Sequence, residues 1–156
     1  MTGMPRTAIL VSALVLPALV FAQEHEKKIQ RADLPPAVEK TVAAQSKGAT
    51  VRGFSEESEK GQTFYEAELS VNGHSKDVLM DANGAVVEVE EQVSLESLDS
   101  SVRNGLQDKA GAGKITKVEK LTKNDRLVAY EAQILVNGKK SEVQVGPDGK
   151  PLDHEE

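Results

Sequence analysis

The sequence contains no cysteine and no tryptophan, and its 156 residues include only three Phe and two Tyr. Without cysteine, no disulfide bond stabilises the fold and no thiol chemistry is possible. A lipid anchor attached to a cysteine is excluded for the same reason. The fold must therefore be held by burial of apolar side chains alone. A chain of this length suffices, because it buries about two-thirds of the surface of its unfolded state.

Motifs typical of catalysis or nucleotide binding are missing as well. The chain has no Gly-x-Ser-x-Gly nucleophile elbow, no Gly-x-x-x-x-Gly-Lys-Ser phosphate loop and no His-x-x-x-His pair. Basic residues are also scarce, since 19 Lys and Arg face 25 Asp and Glu. Phosphate backbones attract basic surfaces, so nucleic acid is not expected as a partner. The sequence predicts a protein that is not an enzyme and has no cofactor.

The first 22 residues have the pattern of a secretory signal peptide. Arg6 precedes an apolar run over residues 8–21, and Ala22 is the small residue of a cleavage site. The run is shorter than the roughly 20 apolar residues that a membrane span requires. We expect cleavage after Ala22 and a periplasmic or secreted protein without a membrane span; the alternative is an uncleaved N-terminal anchor. Loss of Arg6 changes the formal net charge from −6 to −7.

The rest of the sequence contains one pattern twice. Tyr65-Glu66-Ala67 and Asn72-Gly73 recur 65 residues later as Tyr130-Glu131-Ala132 and Asn137-Gly138. Each copy begins with apolar residues at i, i+4 and i+8, the spacing of one buried helical stripe. These residues are Leu34, Val38 and Val42 in the first copy and Leu98, Val102 and Leu106 in the second. The chain is therefore one unit written twice.

Alternation of apolar and polar residues predicts four strands after each helix. The predicted strands are 49–57, 63–71, 75–81 and 85–92 in the first copy, and 114–122, 127–136, 139–145 and 150–153 in the second. Asp33 and Ser97 are the predicted N-caps of the helices, and the Asn-Gly pairs predict type I′ hairpin turns.

The predicted fold class is α+β, with two tandem repeats of one helix and a four-stranded antiparallel meander. One helix on a small sheet leaves apolar surface exposed, so we expect the repeats to form one continuous sheet with both helices on one face. The predicted boundaries are a flexible segment at 23–32, repeats at 33–92 and 93–153, and a flexible C-terminus at 154–156.

The order of these motifs resembles the PepSY-like domains, and their duplication resembles the beta-lactamase-inhibitor-protein-like arrangement. The resemblance covers about residues 33–153 and includes the turns Asp81-Ala82-Asn83-Gly84 and Gly146-Pro147-Asp148-Gly149. It implies a small extracytoplasmic module without catalytic activity, with relatives that inhibit peptidases or, through the open face of the sheet, beta-lactamases. Such a face depends on aromatic anchors. Here Phe64 is the best exposed aromatic candidate. A single phenylalanine is a poor basis for such a face, so inhibition of beta-lactamases is not expected.

The predicted strands sort their side chains onto two faces. Tyr65 and Tyr130 belong to the apolar face, toward the helices. The opposite face is acidic in the first copy, where it includes Glu90. Such a face either contacts a partner or only keeps the sheet soluble. The residues predicted to contact a partner are Phe64, Glu66, Glu68, Asp77, Leu79, Glu88, Glu131, Gln133 and Leu135.

Two functions with specific ligands remain open. The first is an exported, monomeric binding or inhibitory module that contacts an envelope or secreted protein through the open face of its sheet. The second is a periplasmic protein that binds or senses divalent cations with its acidic face and with His25 and His154 near the two ends. A passive structural role is the third possibility. The turn at residues 81–84 lacks the glycine spacing of an EF-hand, so no calcium loop is predicted there.

Overall fold

The computed structural model describes residues 25–59 and 61–156, so the predicted signal peptide lies outside the described residues. None of the helices in these ranges is long and apolar enough to cross a membrane. The described strands form one antiparallel sheet in which each strand neighbours the next one in the chain. The elements are β1 His25–Ile29, α1 Pro36–Gln45, β2 Thr50–Glu59, β3 Gln62–Val71, β4 His74–Asp81, β5 Val86–Gln92, α2 Ser100–Ala110, β6 Lys114–Lys123, β7 Arg126–Val136 and β8 Lys139–Val145.

The predicted fold class, two tandem repeats of one helix and four strands, is wrong. Residues 25–59 and 61–156 form a single eight-stranded antiparallel sheet with two α-helices, and its two halves differ in their strands. Residues 23–32, predicted to be flexible, include β1, which pairs with β2. Residues 150–153, predicted to be the last strand of the second repeat, form no strand.

Two substitutions between the copies weaken strand formation after β8. Pro151 occupies the position of Val86, and His154 occupies that of Val89. Proline has no backbone N–H to donate to a neighbouring strand. Val89 packs against the apolar core, whereas a histidine gains less from burial than a valine does. The segment after β8 therefore has one backbone donor and one apolar contact fewer than β5 has.

The apolar core consists of two clusters between the helices and the sheet. Full burial of a valine or leucine stabilises a fold by about 1.5–3 kcal/mol, so these contacts fix each helix on the sheet. Tyr65 and Tyr130 pack against the two clusters, which confirms their predicted face. The first cluster includes Val38, Val42, Phe54, Leu69, Val78 and Met80. The second includes Val102, Leu106, Val118, Ile134 and Val145.

Turns and helix starts differ in how well the sequence predicts them. Asn72 and Asn137 have φ angles of 52° and 51°, followed by glycines with positive φ, which confirms the predicted hairpin turns. The predicted N-caps are wrong, because α1 and α2 start after Pro35 and Asp99. Asp33 instead accepts a hydrogen bond from the Gln30 N–H at 2.9 Å, in a short 3₁₀ turn.

Candidate functional site

The face of the sheet opposite the helices, called the open face below, carries the candidate site. Paired residues on neighbouring strands point to the same side of a sheet. The register places Glu66 beside Leu79 and Leu79 beside Glu88 across β3, β4 and β5. It also places Glu68 beside Asp77, and Asp77 beside Glu90. Carboxylates of three adjacent strands therefore converge on one surface.

The structure places the nine residues predicted to contact a partner in two groups on the open face. Strands β3, β4 and β5 carry Phe64, Glu66, Glu68, Asp77, Leu79 and Glu88. Strand β7 carries Glu131, Gln133 and Leu135, two strands away from β5. Phe64 is half-buried beside a shallow depression at the β3–β4 end, whereas Leu135 is 37% exposed. That these residues bind a partner stays a prediction.

A pocket of about 120 Å³ opens at the centre of the first group. Its lining combines five carboxylates with one leucine, so it is acidic with a small apolar patch. The lining residues are Glu57, Glu66, Asp77, Leu79, Glu88 and Glu90.

Glu90 and Asp77 are the most perturbed carboxyl groups in this pocket. Burial, together with the neighbouring carboxylate of Glu119, raises the pKa of Glu90 to about 8. Burial and, after it, the carboxylate of Glu66 raise the pKa of Asp77 to about 6. Both causes act against the charged form. Glu90 therefore holds its proton at neutral pH, while Asp77 is mostly ionised.

Glu119 of β6 completes this cluster from the other half of the sheet. One oxygen from each of Asp77, Glu90 and Glu119 lies within 4.8 Å of the others. Glu119 is only 7% exposed. It is paired with Lys117 at 2.6 Å and accepts a hydrogen bond from the Ser75 hydroxyl at 3.2 Å. The charge of Glu119 is thus compensated.

Two further carboxylates of the open face depend on buried polar neighbours. Ser55 is fully buried and donates its hydroxyl hydrogen bond to Glu66 at 2.7 Å. Gln144 is 6% exposed and donates from its side-chain amide to Glu131 at 2.8 Å. Burial raises the pKa of both carboxyl groups, and these hydrogen bonds lower it in part. The two acids are held in fixed orientations rather than moving freely in solvent.

Lysines compensate the rim of the open face rather than its centre. Lys28 contacts both Glu26 and Glu68, and Lys123 lies 3.5 Å from Glu88. Among the residues that the structure describes, Glu66, Asp77 and Glu90 have no ion pair. These three carboxyl groups of the central pocket therefore have no ion-paired cation within the described residues.

Sequence reasoning missed the contribution of β6. Glu119 lies in a strand whose charged residues are otherwise lysines, which concealed its acidic role. Its position could have been found from alternation, because Val118 belongs to the apolar face and its neighbour Glu119 must point to the open one. Leu121, paired with Glu90, also points to the open face and is 3% exposed.

The histidines take no part in the clusters of possible metal ligands that the described residues contain, which consist of carboxylates. His74 and His154 are exposed. The side chain of His25 lies outside the description, so a site formed by His25 and His154 stays untested. The segment of His154 returns to the open face, since the Glu156 N–H donates to the Gln144 side chain at 2.8 Å.

Comparison with known proteins identifies the fold. No protein-family model matches the sequence, and no curated protein matches it. Among solved structures, a DUF2874 family protein from Bacteroides ovatus has a TM-score of 0.60 and 20% identity over 77% of this chain and 85% of its own. A BLIP-like protein from Bacteroides fragilis has a TM-score of 0.56 and 20% identity, over 76% and 83%. A proposed periplasmic protein from Bacteroides eggerthii has a TM-score of 0.62 and 17% identity, over 76% and 86%.

At these identities the likeness shows the fold alone. The resemblance to beta-lactamase-inhibitor-like proteins is confirmed at the level of fold, because one of the similar structures carries that description. The more specific PepSY-like assignment receives no support from these comparisons.

Proposed function

We propose that this chain is an exported, non-catalytic binding module that receives a basic group of an envelope or secreted protein on its open face. The observation that carries the proposal is the central pocket, where Glu66, Asp77 and Glu90 meet without an ion-paired cation in the described ranges. Uncompensated, partly buried acids destabilise a fold. Their presence is understandable if a ligand supplies the missing positive charge.

A lysine or arginine side chain fits the chemistry of this pocket. The volume of about 120 Å³ admits the end of such a side chain. Leu79 offers apolar contact to the aliphatic stem, and the carboxylates accept charge-assisted hydrogen bonds from the head group. Charge complementarity of this kind favours specificity and fast association.

Export and a monomeric state are parts of the same proposal. The pattern of residues 1–22 supports export, as does the fold shared with a protein described as a proposed periplasmic one. Because the partner would bind the open face directly, the site requires one copy of the chain.

Affinity capture with matched bait variants tests the proposal. The baits are the wild type and a site variant with Glu66→Gln, Asp77→Asn and Glu90→Gln, both incubated with an envelope fraction of the source organism. A control variant with Glu96→Gln, Asp99→Asn and Asp108→Asn removes three carboxylates at exposed positions near α2. We expect a common partner on the wild type and the control and its loss on the site variant. Equal capture by all three baits would place the interaction elsewhere.

A divalent-cation site is the second candidate function, favoured by the approach of Asp77, Glu90 and Glu119 within 4.8 Å. Calcium accepts such oxygen ligands. The pairing of Glu119 with Lys117 reduces the charge available to an ion, which is why we rank this function second. Calorimetric titration with calcium, zinc and copper decides it. Heat at sub-millimolar metal that Asp77→Asn abolishes would favour this function, and its absence would exclude it.

A further inference from the structure

Strand β8 corresponds to β4 of the first copy, but its outer edge differs from the corresponding edge of β4. Strand β4 pairs on both sides, with β3 and with β5. Strand β8 pairs with β7 and ends the sheet. Ser75, Lys76 and Asp77 are half-buried beside β5, whereas the corresponding Lys140, Ser141 and Glu142 are exposed. The second half of the sheet therefore has an edge where the first half has a strand.

The turns after β4 and β8 are nevertheless built alike. Asp81 donates its N–H to the Ala85 carbonyl at 2.9 Å, and Gly146 donates to the Lys150 carbonyl at 2.8 Å. Gly84 and Gly149 have φ angles of 79° and 81°, and each lies so close to a helix that a β-carbon would overlap a helix carbonyl. The chain therefore leaves β4 and β8 in the same direction.

Beyond the turn, the second copy does not pair with the edge. Pro151 and His154 replace Val86 and Val89 of β5. The Glu156 N–H reaches only the side chain of Gln144 and not the backbone of β8. Among the described residues, the edge from Lys139 to Val143 has no strand beside it.

We propose that this edge, β8 from Lys139 to Val143, binds an extended strand of a partner protein in the place that β5 takes beside β4. Strand addition of this kind uses backbone hydrogen bonds for affinity and alternate side chains for specificity. The charges on the edge specify the occupant. Lys139 and Lys140 favour acidic residues at one end of the added strand, and Glu142 favours a basic residue two positions from the acid opposite Lys140.

The register of β4 with β5 defines a probe for this site. Asp77 pairs with Glu90, and the 65-residue offset assigns Glu142 to the same position on β8. The probe is the peptide Ala-Val-Val-Gln-Val-Lys-Thr-Glu-Glu. Its apolar residues are those at the start of β5, its Lys lies opposite Glu142, and its two Glu lie opposite Lys140 and Lys139. A control peptide, Ala-Val-Val-Gln-Val-Glu-Thr-Lys-Lys, has the same apolar part with its charges exchanged.

Nuclear magnetic resonance of the full isotope-labelled chain, titrated with each peptide, tests the proposal. The first peptide should slow amide hydrogen exchange in β8 between Lys139 and Val143 and leave β1 unchanged. Three opposed charge pairs predict that the exchanged peptide binds about threefold to a hundredfold more weakly. The double variant Lys139→Gln/Lys140→Gln should bring the two peptides closer in affinity.

Two N-methylated forms of the first peptide separate strand pairing from attraction of charges alone. An added strand presents alternate N–H groups to the edge. Methylation of one alternate set should therefore abolish binding, and methylation of the other should leave it within about twofold. Equal binding of both forms, protection on the open face instead of β8, or no change in β8 would overturn the proposal. Self-association of the chain through β8 without peptide would overturn it too, because the occupant would then be a second copy. None of these outcomes depends on the acidic pocket, so the proposed function can fail independently.

Discussion

Replacing Glu90 by Gln should stabilise the protein at neutral pH, although it removes a native side chain. Burial and the surrounding carboxylates raise the pKa of Glu90 to about 8 from an ordinary value of 4.5. A raised pKa means that the folded state binds the proton more tightly than the unfolded state does. Stability due to this group is therefore complete below about pH 4.5 and is lost as pH rises toward about 8. Gln has nearly the same shape and never ionises, so the variant avoids the loss.

The expected gain follows from the two pKa values. One pKa unit corresponds to about 1.4 kcal/mol, so the folded protein should lose about 3 kcal/mol by pH 7 and nearly 5 kcal/mol by pH 9 through Glu90 alone. Glu90→Gln should be near neutral at pH 4 and more stable than the wild type by about 3 kcal/mol at pH 7. For a chain of this size the latter corresponds to an increase in Tm of roughly 10 °C.

Urea unfolding at pH 4, 5, 6, 7 and 8 measures this gain, with Glu88→Gln as the matched control. Glu88 lies on the same strand and face, but it is paired with Lys123 at 3.5 Å. Its replacement should cost between about 0 and 1 kcal/mol. A gain for Glu90→Gln that does not grow between pH 5 and pH 8 would refute the reasoning, since it would mean that solvent or a cation already compensates this carboxylate.

Three other changes test the fold and the site. Gly149→Ala should destabilise the fold by more than about 2 kcal/mol in urea unfolding, because φ is positive and a β-carbon would overlap the helix backbone. Gly138 has a similar φ but open space around it, so Gly138→Ala should cost about 1 kcal/mol in the same assay. Lys117→Met should lower the free energy of unfolding by about 1–3 kcal/mol, because it leaves the buried carboxylate of Glu119 without a cation. Adding Glu119→Gln should restore most of this loss. Pro151→Val combined with His154→Val should extend the sheet by one strand, detected as slower amide exchange along the outer edge of β8; unchanged exchange would show that other residues prevent this strand.

Local patterns predicted most of the strands and their faces. Alternation in Tyr65-Glu66-Ala67 reports which side chain meets the core, because the period of a strand is fixed by its geometry. The Asn-Gly turns are equally local, since few residues tolerate positive φ. Strand β1 escaped prediction because His25–Ile29 is short and rich in charge, and its pairing with β2 is a tertiary effect. The helix starts were misplaced by two residues, which reflects the weak signal that a single capping residue provides.

The candidate site could be predicted only in part. The acidic side chains of β3, β4 and β5 follow from alternation within one copy. Glu119 does not, because its proximity to Glu90 depends on the pairing of β5 with β6, which joins the two copies. Buried donors such as Ser55 are similarly hard to recognise in the sequence, where a serine followed by two glutamates suggests a solvent-exposed position.

Two corresponding pairs of acidic residues behave differently in the two halves of the sheet, and the cause is their position rather than their residue type. Asp77 and Glu90 correspond to Glu142 and Glu155 in the second copy. The first pair lies between strands and has raised pKa values. Both residues of the second pair are exposed, because no strand in the described part of the chain follows β8. A strand added at β8 would place Glu142 in the situation of Asp77. An acid opposite it would repeat the destabilisation that β5 imposes through Glu90, whereas a basic residue would neutralise the charge. The partner strand is therefore expected to differ from β5 at this position, and comparing Lys with Glu there in otherwise identical peptides measures how strongly the edge selects its occupant.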